Sequence, residues 1–282
     1  MAGVGGIRII KRRLKVAQST QQITRAMQLI AASKLRRAEP HMRQAINYYD
    51  SLVEMLAAAR AAGCKQGFTL AAPRNEGDTL VFLISGDRGL CGAYNDAVVK
   101  KGLEAAEGSQ RFIVIGLRGR DKLGRAGITP GPGDFYEANK LTLLAIKRLS
   151  ESLIERFIQD TSIKRICLVY THYYSALSHD PVMEDILPVC LPEPVGPEPL
   201  TEPDTIDLID GILPAVVEAR IYNAIMISVA AEHSARRMTM SSATDNAQEM
   251  IDNLRRMYNR ERQAAITREI IDIVGGAETA GR

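Results

Sequence analysis

Hydrophobic and polar positions divide the chain into stretches of three different characters. From about Ile7 to the region of Leu52 and Ala62, apolar residues recur every three or four positions among good helix formers. That is the pattern of one long amphipathic helix ending at Gly63. Within it, in "ITRAMQLIAASKL" (23–35), Ile23, Met27, Ile30 and Leu35 fall on one stripe. Ala26, Ala31 and Ala32 lie beside that stripe and leave room for a close neighbour. Proline removes a helical hydrogen bond and clashes with the preceding turn, so Pro40 predicts a bend or break near Ala38 and Glu39.

The middle of the chain changes period. "TLVFLIS" (79–85), "RFIVIG" (111–116) and "RICLVY" (165–170) are short apolar runs rich in Val and Ile, as expected of strands buried on both faces of a parallel sheet. "DILPVCL" adds a further candidate strand. Helical patterns fall between them at 96–106, 120–125 and 137–159, the last with Leu141, Leu144, Ile146, Leu149, Leu153, Ile154 and Phe157. Strands alternating with helices predict an open α/β layer with right-handed crossovers. Pro192, Pro194, Pro197, Pro199 and Pro203 then forbid regular structure, which reads as a stiff, extended linker.

Beyond Pro214 there is no proline, and no glycine until Gly275. Such a run, with Ile221, Ile225, Val229, Met238, Ala247, Ile251, Leu254, Tyr258, Ala265 and Ile270, predicts one helix of roughly 90 Å. "MSSATDN" (240–246) has low helix propensity and weakens its middle. The domain division is therefore 1–62, an N-terminal shaft helix; 77–191, a central Rossmann-like α/β domain; 192–204, the proline-rich linker; and 205–282, a C-terminal shaft helix. Both long helices leave the same central domain, so they are expected to pair as a long antiparallel coiled coil. Its seam is expected to be irregular rather than a strict heptad, with polar Gln21, Thr24 and Thr244 near it.

Charge sharpens this picture. The 282 residues carry a formal net charge of +3. Nevertheless no acidic residue precedes Glu39, while Arg8, Lys11, Arg12, Arg13, Lys15, Arg25, Lys34, Arg36 and Arg37 supply nine positive charges. A block of this kind suits nucleic acid, an anionic membrane or an acidic protein surface. The chain has no Trp, and Phe and Tyr are scarce near the block, so the stacking platform of a nucleic-acid binder is missing. A basic coiled-coil nucleic-acid-binding protein stands as the alternative reading. No run of some 18 apolar residues predicts a membrane span. The Arg-rich, acid-poor start is like a transit peptide, but the helical pattern continues past residue 50 without a cleavage-like break.

Little chemistry emerges. Cys64, Cys91, Cys167 and Cys190 form no Cys-x-x-Cys pair and no zinc-like spacing with the four histidines, which argues for a reducing interior and no metal site. His172 and His179 flank a tyrosine-rich segment, again without ligand spacing. In "ISGDRGLCGAYN" (84–95), Gly86, Gly89 and Gly92 lie in a strand-to-helix loop, where α/β proteins often hold phosphates. Their spacing matches neither the dinucleotide fingerprint nor the phosphate loop, and the glycines read as structural. Asp87 and Arg88 are either a site or a turn ion pair. No catalytic constellation can be assembled, and no cofactor is implied.

Three segments, "STQQITRAMQLIAASKLRRA" (19–38), "SGDRGLCGAYN" (85–95) and "ATDNAQEMIDNLRRMYNRERQAAITREIIDIVGGA" (243–277), closely resemble the gamma subunit of F-type ATP synthases. The resemblance implies a non-catalytic rotor shaft: an antiparallel coiled coil standing in a hexamer of alpha and beta subunits, and an α/β foot touching the epsilon subunit and the membrane ring of c subunits. By the same resemblance the complex sits peripherally on the cytoplasmic side of a bacterial cell membrane, without nucleic acid. Met27 in "ITRAM", Arg237 in "SARRM", and Arg262, Gln263 and Thr267 in "NRERQAAITRE" resemble residues that contact beta-subunit loops, Met27 being equally readable as a seam residue. The apolar tail with Ile266, Ile270, Ile271, Ile273 and Val274 would turn in a hydrophobic sleeve. The proline-rich segment 192–203 is not part of the resemblance, and the dithiol insert of plastid relatives is absent.

Overall fold

The computed structural model describes residues 2–61, 68–194 and 205–280. The expected helix end at Gly63, Cys64 and the linker from 195 to 204 lie outside the described residues, as do the side chains of Ile273 and Val274. Helix α1 (Ala2–Ala61) is followed by β1 (Asp78–Ile84), α2 (Tyr94–Ala105), β2 (Phe112–Ile115), α3 (Leu117–Arg125) and β3 (Phe135–Tyr136). Then come a 3-10 turn (Ala138–Lys140), α4 (Leu143–Gln159), β4 (Ile163–Ser175), β5 (Ser178–Leu187) and α5 (Thr205–Ala280). The chain forms two compact units, one of residues 1–30 with 237–282, the other of 31–236.

In the 31–236 unit the five strands form one sheet in the order β3-β2-β1-β4-β5. The first four are parallel, and β5 returns antiparallel to β4. A turn at Ala176 and Leu177 is too short for a crossover, so β5 has no other option. This hairpin is longer than "RICLVY" and "DILPVCL" suggested, because Tyr173, Tyr174 and His179 extend it as a half-exposed ribbon. Val81, Leu83, Val114 and Val169 pack with α2 and α3 residues Val98, Val99 and Leu123. On the opposite face Phe82, Ile84, Leu168 and Tyr170 meet Leu149, Leu153 and Phe157 of α4, together with Ile209, Leu213, Val217 and Ile221 of α5. Coverage of both faces is what makes these strands read as unbroken apolar runs.

The 137–159 helix divides in two. Thr142 caps α4 by accepting from the Ala145 N–H at 3.2 Å, so the regular helix starts at Leu143. A further polar knot joins four elements. The Arg220 guanidinium of α5 is paired with Glu184 of β5 and lies 4.9 Å from the Tyr49 ring centroid of α1. The Tyr170 hydroxyl of β4 donates to Glu184 at 3.1 Å.

Two expectations about α1 need correction. Pro40 does not break it: the helix is continuous from Ala2 to Ala61. Pro40 is exposed, so the Arg36 carbonyl it deprives of a partner faces water, while Leu35 and Met42 on either side are held in the core. Nor is Ile23–Met27–Ile30 the seam. In the unit of 1–30 and 237–282, the face of α1 turned to α5 is Ile10, Leu14, Ala17, Gln21, Thr24 and Gln28, whereas Ile23 and Ile30 are 59% and 58% exposed. The partner face is Met240, Thr244, Ala247, Ile251, Leu254 and Tyr258. On both helices the spacing alternates four and three without a skip, so the seam is a regular heptad. Its irregularity is chemical: Ile10, Ala17, Ile251 and Leu254 are apolar at one end, and Gln21–Gln248, Thr24–Thr244 and Gln28–Ser241 hydrogen bonds follow toward the other.

Part of α5 is apolar enough, by length and composition, to cross a membrane, although the sequence showed no such run. Of that window, 61% is buried within the chain's own core, as suits a helix packed on a sheet.

Candidate functional site

Two regions concentrate exposed or polar features. In the 1–30/237–282 unit, the stripe left off the seam runs through Ile9, Val16, Ile23 and Ile30, a seven-residue spacing with each residue more than half exposed. Beside it an open groove of about 990 Å³ is lined by Ile9, Arg13, Val16, Ala243, Met250 and Leu254. Among the described residues, none of the ion pairs involves Arg8, Lys11, Arg12, Arg13, Lys15 or Arg25. Cations and isoleucines are thus presented together on a surface that the unit itself does not neutralise or cover.

The residues singled out from the sequence lie on this unit in two groups. Met27 is 36% exposed and off the seam, which removes its seam reading. Arg237 is partly buried, one helical turn from the Ser241 that accepts from Gln28. Arg262, Gln263 and Thr267 are exposed and lie roughly 40 Å farther along α5, at 1.5 Å per residue. They do not form one site.

The second region is the 85–95 loop of the 31–236 unit. Asp87 does not pair with Arg88. Its carboxylate accepts from the backbone N–H groups of Leu117 (3.0 Å), Ala138 (3.1 Å) and Asn139 (2.8 Å), tying the loop to α3 and the 3-10 turn. The Gly86 N–H donates to Asn95 Oδ1 at 3.0 Å, and the Asn95 amide donates to the Arg88 carbonyl and Cys91 Sγ. Ser85 Oγ accepts from Gly119 N–H at 2.9 Å; Gly116, at φ +100°, has no space for a Cβ because the Ser85 carbonyl would lie 2.3 Å away. Burial raises the Cys91 thiol above its ordinary range, with Arg236 opposing and Glu232 reinforcing the shift. A loop that places the Asp87 carboxylate at its centre, with the Gly86 N–H already engaged by Asn95, is poorly suited to cradling a phosphate. No cluster of three or more His, Cys, Asp and Glu that could hold a metal ion occurs among the described residues.

The sequence pattern did not reveal what this loop meets. Glu232 and Arg236 of α5, one turn apart and ion-paired, both side chains 15% exposed, face Gly86 and Gly89. The only cue was the coincidence of close-packing glycines in the loop with an i,i+4 charge pair on a distant helix.

The 1–30/237–282 unit is thus a helix pair with an open basic and apolar face, and the 31–236 unit an α/β layer. A family model described as ATP synthase matches residues 6–279. The chain is 36% identical to the ATP synthase gamma chain of Heliobacterium modesticaldum, across 98% of this chain and 99% of that one. With the gamma chain of Halothermothrix orenii it shares 35% identity, across 96% and 98%. Its fold is similar to a chain of the Euglena gracilis mitochondrial ATP synthase rotor, with a TM-score of 0.63 at 16% identity over 93% of this chain and 99% of that one. A chain of the Tetrahymena thermophila mitochondrial ATP synthase central stalk and c-ring gives 0.57 at 22% identity, over 78% and 99%. The chain belongs to the ATP synthase gamma chains, the central-stalk subunits of F-type ATP synthase.

Proposed function

We propose that this chain acts as the non-catalytic shaft of the enzyme, carrying ion-driven rotation of the membrane c-ring to the catalytic sites of an alpha/beta hexamer. The observation that carries this reading is the outward surface of the 1–30/237–282 unit, where an isoleucine stripe and unpaired cations lie off a seam that already satisfies itself. Charge on such a surface attracts acidic beta-subunit loops over about 8 Å at physiological salt, and apolar contact adds no directional bond that would trap one orientation. Turning requires contacts of similar strength in each position, since any contact favoured in one orientation is a barrier to leaving it.

In this reading residues 1–62 and 205–282 are the shaft, 77–191 the foot that meets the epsilon subunit and the c-ring, and 192–204 a spacer. Met27 and Arg237 form one level of contact with beta-subunit loops, and Arg262, Gln263 and Thr267 a second, higher one. The complex lies on the cytoplasmic side of a bacterial cell membrane, and the basic face serves protein rather than nucleic acid. Co-expression with alpha and beta subunits of the same genome, followed by gel filtration and an ATPase assay, tests it. A stoichiometric complex that hydrolyses ATP only with this chain present is expected. A chain that elutes alone and changes nothing overturns the reading.

A further inference from the structure

Open α/β sheets take their ligands beyond the carboxyl ends of the strands, where the chain reverses its direction of travel across the sheet. Here that point is between β1 and β4: α2 and α3 lead outward to β2 and β3, and α4 leads back to the other side of β1. The crevice is filled from within, by residues 228–236 of α5. The Tyr94 hydroxyl donates to the Ser228 carbonyl at 3.2 Å, and the Ser234 hydroxyl to the Ala176 carbonyl of the β4–β5 turn at 2.9 Å. Glu232 lies so close to Gly86 that a Cβ there would be 2.9 Å from Glu232 Cδ. Arg236, held by Glu232, donates through Nε and Nη2 to the Gly89 carbonyl at 3.4 Å. Ala231 and Ala235 pack on Cys91 and Tyr94, closing the socket with a small apolar cluster.

We propose that this socket is the joint that makes the sheet and α5 turn as one body, with Glu232 and Arg236 as its positioning pair; the inference rests on the rotor reading. Apolar packing of α5 against the sheet resists separation but is non-directional, so by itself it opposes twisting of the helix only weakly. Hydrogen bonds with fixed partners oppose twisting directly. The socket is also well placed, because residue 228 lies roughly 35 Å along α5 from Thr205, where the helix begins. Tyr173, which packs against the same cluster, donates its hydroxyl to Glu39 of α1 at 2.8 Å, so the ribbon also holds the first helix.

The test is made in the assembled complex of this chain with alpha and beta subunits, with a bead fixed to the 77–191 region. The angular spread of the bead during each catalytic pause reads torsional stiffness. In R236M and E232Q the variance of that spread is expected to grow by about twofold, with ATP hydrolysis unchanged, since coupling between packed elements runs through such discrete contacts. A second variant controls for folding: R236K keeps a cationic donor facing Glu232 and the Gly89 carbonyl and should stay closer to the wild-type spread than R236M. Wild-type spread in both R236M and E232Q, or a spread in R236K as wide as in R236M, overturns the joint. A wild-type complex that assembles but never rotates overturns the rotor reading, and the joint with it.

Discussion

Thr24 and Thr244 meet hydroxyl to hydroxyl across the helix seam, with Oγ1 of Thr244 2.8 Å from Oγ1 of Thr24. Thr24 also donates to the Gln21 carbonyl at 3.0 Å, so across the seam it accepts from Thr244, whose single hydroxyl proton is shared between Thr24 and the Met240 carbonyl 2.7 Å away. A seam position that could hold a valine pair instead holds a hydrogen bond. Stability is sacrificed there, and the register of the two helices is fixed.

Replacing both partners by isosteric apolar residues removes the desolvation cost without leaving an unpaired group. T24V/T244V should therefore stabilise the chain by about 1 kcal/mol, read from denaturant unfolding. A double variant less stable than either single one would refute this account.

Ile23 and Ile251 test the corrected seam. Ile251 is 2% exposed between the helices, and I251A should cost roughly 2–4 kcal/mol. Ile23 faces outward, and I23A should cost under about 0.5 kcal/mol in the isolated chain. If I23A also weakens association with alpha and beta subunits in gel filtration, the outward stripe is an interface.

Asp87 holds three backbone N–H groups from two other segments. D87A leaves those donors without their acceptor and should cost roughly 2–3 kcal/mol. D87N retains one acceptor oxygen and should lose less. Equal melting temperatures for D87A and the wild type would show that water replaces the carboxylate.

His233 carries a pH limb. Burial first, then the positive charges of Arg236 and Lys34, lower its pKa from 6.5 to about 4. The unfolded chain therefore binds the proton more readily than the folded one. The stability contributed by neutral His233 is full above pH 6.5 and is lost as pH falls toward about 4. His233→Gln should flatten this part of the melting-temperature profile, and an unchanged profile would assign the acid limb to other groups.

How much of this was legible in the sequence depends on the range of the interactions involved. The long helices and the strand cores were readable because the 3.6-residue period, continuous Val and Ile runs and the lack of internal glycine act on neighbours. The family match fixed the class of subunit. Tertiary structure decided which of two competing stripes on α1 faces inward. Ile23, Met27 and Ile30 have the right spacing and greater hydrophobicity, yet Gln21, Thr24 and Gln28 are turned to α5, because Gln248, Thr244 and Ser241 offer them partners. It also decided that Pro40 does not stop the helix, and that the glycine loop receives Glu232 and Arg236. Those outcomes depend on pairings between distant residues, up to 227 positions apart for Gln21 and Gln248, and local periodicity holds no information about them.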